Sequence, residues 1–197
     1  MDHPVFVVPG IGNSGPLHWQ SVWEAAHPEW RRLVVQDWET VACGDWVSAI
    51  EEQVADVGDD TLIVAHSLGC LAVAHWAARH SPRIRGALLV AVPDPVAPAF
   101  PAVAATGFAP VPSVTLPFPT IVVASSNDPY GSVEHARRCA KVWGSQLVDV
   151  GARGHLNSDS NMGDWSEGFR LLQSLEKFGV EGVAAWRCAV PRRDYPQ

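Results

Sequence analysis

The sequence predicts a three-layer αβα sandwich around a mainly parallel sheet of roughly six strands. Short apolar runs alternate along the chain with longer segments of helical periodicity, as expected for successive βα units. Several runs are apolar almost without interruption, such as residues 62–64, which is typical of strands buried on both faces. No internal repeat or low-complexity tract divides the 197 residues, so one domain accounts for most of the chain.

The apolar runs predict six strands, and the periodic segments between them predict five helices. The strands are expected at residues 5–8, 33–35, 61–65, 87–92, 120–124 and 146–150. The helices are expected at residues 17–26, 46–57, 68–79, 133–143 and 165–178, with Pro16 at the first helical position of the first. The domain is assigned to residues 1–179, and residues 180–197 form a C-terminal extension that we expect to be partly disordered.

The connection between the fourth and fifth predicted strands is unusual in its proline content. Residues 93–119 contain eight prolines, which is too many for one regular helix. The segment is also longer than an ordinary connection in a compact domain. Two interpretations stay open at this stage: a cap over a functional site and a plain surface crossover.

Composition excludes several classes of protein. Hydrophobic residues make up 47% of the chain, enough for a sizeable core, and the formal net charge of −7 argues against nucleic acid as a partner. No apolar stretch approaches the roughly 20 residues that cross a bilayer, and the N-terminus lacks the basic start of a signal peptide. The four cysteines are scattered without C-x-x-C spacing, which favours a cytoplasmic protein with free thiols.

The most informative segment surrounds Ser67. The apolar strand predicted at 61–65 leads into His66-Ser67-Leu68-Gly69 and then directly into a helix, the context that a nucleophile elbow requires. Such a turn demands small residues two positions either side of the serine. Gly69 satisfies this on one side, and Ala65 is the smallest departure from glycine on the other. The alternative is a serine that only caps the helix.

Asp128 and His155 provide the groups that a serine nucleophile needs. Asp128 follows the strand predicted at 120–124, and His155 follows the last predicted strand. All three residues therefore fall on loops at the carboxyl edge of one sheet, where open α/β sheets bind ligands. Their chain order, Ser–Asp–His, is that of the α/β-hydrolases. The pattern predicts a catalytic triad in which His155 is the base and Asp128 orients it.

The loop after the first strand supports two different functions. Residues 10–15 match the G-x-G-x-x-G pattern of dinucleotide-binding folds, and Asp37 stands about where such a fold places its ribose-binding acid. Pro16 argues against this interpretation, because it would fall in the first turns of the helix. In a hydrolase the same loop would instead present the backbone N–H of Ile11, which with that of Leu68 would form an oxyanion hole.

Several segments together resemble the small serine hydrolases typified by retinoblastoma-binding protein 9 and bacterial YdeN. The resemblance spans residues 4 to 178 and rests on the motifs at residues 9–20, 36–38, 66–69, 125–130 and 154–157 with Trp165. It implies a reduced α/β-hydrolase sheet without an N-terminal antiparallel hairpin, and the triad Ser67, Asp128 and His155. It also implies activity on simple esters or amides. Ala65 departs from the family's usual glycine, and the L-x-C-x-E segment associated with pocket-protein binding is not present.

These observations predict a serine hydrolase that cleaves a small-molecule ester or amide without metal or cofactor. His75 and His80 are poorly spaced for a shared metal, and no H-E-x-x-H motif is present. His18, Trp38 and Tyr130 are candidate substrate contacts, and for His18 a helix-surface role is equally open. Two alternatives from other classes remain: a dinucleotide-binding oxidoreductase, and a non-catalytic ligand- or partner-binding protein. The oligomeric state is not assigned.

Overall fold

A computed structural model describes Met1 and residues 3–177 of the chain. This part contains eight strands: β1 (Val5–Val8), β2 (Arg31–Arg32), β3 (Val41–Ala42), β4 (Leu62–His66), β5 (Gly86–Val90), β6 (Ala105–Thr106), β7 (Thr120–Ala124) and β8 (Gln146–Asp149). It also contains five α-helices: α1 (Trp19–Ala26), α2 (Cys43–Val57), α3 (Leu68–His80), α4 (Val133–Trp143) and α5 (Ser166–Leu175). A single 3-10 turn lies at Ser158–Ser160.

Six strands form the central sheet in the order β2-β1-β4-β5-β7-β8, and every pairing between them is parallel. The chain passes from β1 outward to β2 and then back across to β4. The strand order therefore reverses between β1 and β4, and ligands bind at such reversals in open α/β sheets. The predicted fold class is confirmed, with a sheet that is wholly parallel rather than mainly so.

Two apolar layers sandwich the sheet, because successive side chains of a strand point to opposite faces. On β4, Ile63 packs with α2, α3 and α4, whereas Leu62 and Val64 pack with α1 and α5. All five residues of β4 are buried, which explains why its sequence shows no alternation of polar and apolar residues. Cys43, Cys70 and Cys139 are buried as free thiols within these layers.

The second strand differs from its prediction at 33–35. The observed β2 pairs Arg31 and Arg32 with β1, and Leu33 adds one further backbone bond to Val7. The ladder stops at Val34, because both its N–H and its carbonyl bond to the side-chain amide of Gln53. The apolar run that suggested a strand is thus split between a buried Leu33 and an exposed Val34.

Helix α1 begins later than predicted, and the placement of Pro16 at its first helical position is wrong. The helix starts at Trp19, and the N-cap is His18, whose Nδ1 accepts the backbone N–H of Gln20. Residues 15–18 form a turn before the helix, closed by a bond from His18 N to Gly15 O.

The proline-rich crossover performs two tasks. Its first part, around Phe100, lines the cavity at the carboxyl edge of the sheet. Farther along, β6 pairs with β3 in a two-stranded parallel sheet that the sequence did not predict, and Phe108 and Phe118 are buried in the core. The segment is therefore both a wall of the cavity and a packed crossover.

The end of the last predicted helix at Phe178 and the extension at 180–197 lie outside the described residues. Within the described part, no helix is long and apolar enough to cross a membrane.

Candidate active site

The turn from β4 into α3 holds Ser67 in a strained conformation. Its backbone has φ 53° and ψ −124°, a positive φ that non-glycine residues seldom adopt. A Cβ on Gly69 would lie 2.5 Å from the carbonyl oxygen of Val8, so only glycine fits where α3 passes the end of β1. Ala65 is accommodated because its methyl group is buried in the core beside β1 and β5.

Ser67, His155 and Asp128 form a continuous hydrogen-bonded chain. His155 Nε2 lies 2.8 Å from Ser67 Oγ, and His155 Nδ1 lies 2.9 Å from each carboxylate oxygen of Asp128. The side chain of Asp128 is 1% exposed, and its Oδ1 also accepts the backbone N–H of Tyr130. An ionised carboxylate accepts only, so Nδ1 of His155 carries the proton and Nε2 faces the serine with its lone pair.

Two side chains after β7 position the loop that carries His155. Asn127 Oδ1 accepts the backbone N–H of Gly154 at 2.7 Å, and Ser125 Oγ accepts that of Arg153 at 2.9 Å. Ser125 Oγ in turn donates to Asn127 Oδ1 at 3.0 Å. The two residues preceding the histidine are therefore fixed by the same loop that supplies Asp128.

The other end of the histidine loop is fixed from β4 and α1. His66 Nε2 donates to the carbonyl oxygen of His155 at 2.9 Å, and Trp19 Nε1 donates to that of Leu156 at 2.7 Å. Burial, together with the nearby rings of His155 and His18, lowers the pKa of His66 well below its usual value. His66 is therefore neutral, and it acts here as a donor to the backbone.

The loop after β1 approaches the serine closely. A Cβ on Gly10 would lie 2.9 Å from Ser67 Cβ, so a side chain at this position would collide with Ser67. Leu68 directly follows Ser67 along the chain, and both Leu68 and Ile11 line the cavity. The backbone N–H of neither residue donates to an acceptor within the described residues.

Buried polar side chains anchor this first loop. Arg32 donates to Asn13 Oδ1 at 2.8 Å and to Ser14 O at 3.0 Å, and its guanidinium also pairs with Glu24. Gln20 is fully buried and accepts from Ser14 Oγ at 2.6 Å, while its amide donates to carbonyl oxygens of β1 and β4. The loop is thus held against the two strands between which the sheet order reverses.

A cavity of about 400 Å³ opens over Ser67. Of the three candidate substrate contacts, His18 and Tyr130 line it, and the ring of Tyr130 meets that of His155 edge-on at 4.6 Å. Trp38, the third candidate, is not among the residues that line this cavity. The Trp38 ring packs against Trp46 instead, and its carbonyl accepts the N–H of Gly12.

The positioning roles of five polar residues were not predicted from the sequence: Gln20, Arg32, His66, Ser125 and Asn127. All five bond to backbone groups at least 18 positions away, up to 89 positions for His66, and no local pattern encodes such a contact. One signal was available: polar residues that directly follow a strand, as Ser125 and Asn127 do, lie at the carboxyl edge, where side chains from several loops meet.

The dinucleotide interpretation of the first loop gains no support from the geometry. Gly15 lies four residues before α1 rather than inside it, so the helix N-terminus does not sit on the glycine-rich turn. The carboxylate of Asp37 accepts the backbone N–H groups of Glu39 and Thr40, and it does not line the cavity over Ser67. Within residues 1 and 3–177, no cluster of three metal-ligating side chains is present.

Comparisons with known proteins agree with this fold. A serine hydrolase family model matches residues 5–174. A structure described as a YdeN-like hydrolase from Pectobacterium atrosepticum is 31% identical, with a TM-score of 0.79, over 89% of this chain and 91% of that one. The ydeN gene product of B. subtilis is 18% identical, with a TM-score of 0.67, over 89% and 99% of the two chains.

More distant structures share the fold alone. Est1E from Butyrivibrio proteoclasticus, solved with ferulic acid bound, is 14% identical with a TM-score of 0.61, over 92% of this chain and 90% of that one. The comparison with curated proteins found no match.

The parallel sheet, the elbow after β4 and the structural likeness define an α/β-hydrolase. The chain belongs to the serine hydrolase family, and within it to the small YdeN type that the sequence motifs resemble.

Proposed function

We propose that this hydrolase cleaves a small ester or amide through an acyl-enzyme on Ser67, with His155 as general base and Asp128 as its orienting carboxylate. One observation carries the proposal: His155 lies within hydrogen-bond distance of both Ser67 and Asp128, at the floor of the cavity. The family model supports hydrolysis in general, and the arrangement of these three side chains supports the acyl-transfer route.

The first half of the reaction forms the acyl-enzyme. Ser67 Oγ attacks the substrate carbonyl while its proton passes to His155 Nε2, and Asp128 stabilises the resulting imidazolium. The carbonyl oxygen becomes negative and accepts hydrogen bonds from the backbone N–H groups of Ile11 and Leu68. These donors are suitable because no other acceptor within the described chain engages them, and the N-terminus of α3 adds its dipole.

Collapse of this first tetrahedral intermediate completes the acyl-enzyme, because His155 gives its proton to the leaving alcohol or amine as the C–O or C–N bond breaks. Hydrolysis of the acyl-enzyme then uses the same base. A water molecule loses a proton to His155 and attacks the acyl carbon, and collapse of the second tetrahedral intermediate returns that proton to Ser67 Oγ. The products are the free acid and the alcohol or amine, and no redox partner or metal enters the balance.

A fluorophosphonate probe tests the proposal directly, because it forms a covalent adduct only with an activated serine. We expect one adduct by intact mass, located at Ser67 by peptide mapping and missing in Ser67→Ala. Ser145→Ala is the matched control: Ser145 is also buried but does not line the cavity, so this variant should label like the wild type. A wild type without adduct, or with its adduct on another residue, would refute the mechanism.

A further inference from the structure

The wall of the cavity divides into two chemically different parts. The crossover supplies a part that is apolar, made of Pro93, Ala99, Phe100 and Pro101. The first loop and the loop that carries His155 supply hydrogen-bonding side chains: Asn13, His18, Asn157 and Ser158. An amphipathic ligand matches such a wall better than a uniformly apolar one.

No lysine, arginine, aspartate or glutamate is found among the described residues that line the cavity. A charged substrate would lose its hydration there without gaining an opposite charge, which is unfavourable. The cavity therefore favours an uncharged molecule.

His18 is one of the residues that line this cavity, and its ring carries a donor without a partner among the described residues. The residue is 3% exposed, and its Nδ1 accepts the N–H of Gln20, so the neutral ring carries its proton on Nε2. Nε2 is buried and has no hydrogen-bond partner within the described residues. Leaving a buried donor unpaired is unfavourable, and a donor on a residue that borders a cavity can gain a partner from a ligand. Burial, then the charges of Arg32 and His155, lower the pKa of His18 to about 4, so the ring stays neutral near pH 7.

The position of His18 indicates which part of the substrate it meets. Its ring packs on that of His66 at a centroid distance of 4.6 Å, and His66 packs on His155 at 4.9 Å. His155 must protonate the leaving atom, so the leaving group lies beside it. Asn157 and Ser158, which belong to the polar part of the wall, lie on the same loop as His155. The leaving group therefore meets the polar part of the wall, and the acyl group meets the apolar part.

We propose that the substrate is an uncharged ester or amide of a short apolar acid, and that its leaving group carries an oxygen that accepts a hydrogen bond from His18 Nε2–H. This inference rests on the proposed function and adds the substrate class and a specificity-determining residue. Phe100 and its neighbours in the crossover face the acyl chain, and His18 selects the alcohol or amine.

Two butyrate esters test the proposal, 2-methoxyethyl butyrate and n-butyl butyrate. Their leaving groups have the same length and differ only by an ether oxygen in place of a methylene, and acid release is followed in a pH-stat. The measured quantity is a corrected ratio. It is the kcat/KM of the methoxyethyl ester over that of the butyl ester, divided by the same ratio of their hydroxide-catalysed rates. We expect a corrected ratio of about ten in favour of the methoxyethyl ester, the value of one neutral hydrogen bond.

Two variants separate the donor from the helix cap. His18→Asn keeps a strong N-cap acceptor but is too short to place a donor at Nε2, so its corrected ratio should fall to about one. His18→Gln can place an amide N–H near the position of Nε2 and should recover part of the preference. A corrected ratio near one in the wild type would overturn the proposal without any variant. A corrected ratio in His18→Asn equal to that of the wild type would also overturn it.

A second pair of esters tests the preference for an uncharged substrate: butyrylcholine and its neutral isostere 3,3-dimethylbutyl butyrate. We expect the cationic ester to react at least about tenfold more slowly, and equal values of kcat/KM would contradict this part. Failure to hydrolyse any of the four esters, with Ser67 still labelled by fluorophosphonate, would overturn the substrate class alone. Failure of the labelling itself would instead refute the proposed function and this inference with it.

Discussion

Replacement of Gly69 by alanine tests whether α3 really passes as close to β1 as the structure places it. The added Cβ would lie 2.4 Å from Pro9 O, whereas ordinary contact begins at 3.4 Å, so the two backbones must separate by about 1 Å. Overpacking of this kind costs about 1–3 kcal/mol, and Tm falls about 2–4 °C per kcal/mol in a chain of this size. Pro9 leads into the loop of Ile11, so the same shift displaces the proposed oxyanion donor, and a 1 Å misplacement costs about 10²-fold in rate.

Gly44→Ala is the matched control for Gly69→Ala. Gly44 is the second residue of α2, as Gly69 is of α3, but a Cβ there would meet nothing within 4 Å. Alanine should therefore stabilise α2 by up to about 1 kcal/mol through helix propensity alone. The measurements are Tm by circular dichroism and kcat/KM on a p-nitrophenyl ester. If Gly69→Ala matched Gly44→Ala in both, the close approach and the argument for an obligatory glycine would be wrong.

Three further predictions address the triad and its surroundings. Asp128→Asn should lower kcat on the order of 10⁴-fold with KM nearly unchanged, because the amide no longer fixes the His155 tautomer; a loss below tenfold in steady-state kinetics would contradict the role of the carboxylate. Asn127→Ala should lower kcat about tenfold and stability by about 1 kcal/mol, whereas Asn127→Asp, which keeps an acceptor for Gly154 N, should lose less of that stability in urea titrations. Buried His18 has a folded-state pKa of about 4 against an ordinary 6.5, so its contribution to stability is complete above pH 6.5 and is lost as pH falls towards 4. Between pH 7 and pH 5, the free energy of unfolding should therefore fall by about 2 kcal/mol less in His18→Asn than in the wild type. Equal losses in the two proteins would disprove the shift.

The central strands and the elbow were predictable because their signals are local. The run that became β4 is buried on both faces, so residues 62–65 had to be apolar or small, and the sharp turn restricted the residues around Ser67 within five positions. Placing Asp128 and His155 beside Ser67 needed only one further rule, that parallel strands bring their carboxyl ends to one edge. The structure brings the three side chains together at that edge.

What escaped prediction depends on contacts between distant segments. The pairing of β3 with β6 involves two residues on each side, separated by more than sixty positions, and no periodicity can develop over two residues. Arg31 and Arg32 form an edge strand because β1 offers a free edge and Glu24 pairs with a guanidinium, not because arginine favours strands. Trp38 was placed among the substrate contacts on its motif, but the direction of its ring is set by Trp46 on α2.

The position of the histidine loop follows from the distance that it must cover. In the strand order β4-β5-β7-β8, the end of β8 lies three spacings from Ser67, about 14 Å at roughly 4.8 Å per strand. Residues 150–155 must cross this distance along the edge of the sheet, and an untethered loop of that length would sample many positions of His155. Side chains hold this loop at two places: Ser125 and Asn127 bond to it after β7, and His66 bonds to it at the end of β4. Because His66 directly precedes Ser67, the carbonyl of His155 is held by the residue next to Ser67, at the end of β4. The 2.8 Å between His155 and Ser67 therefore depends on the end of β4 far more than on the outer strand from which the loop emerges.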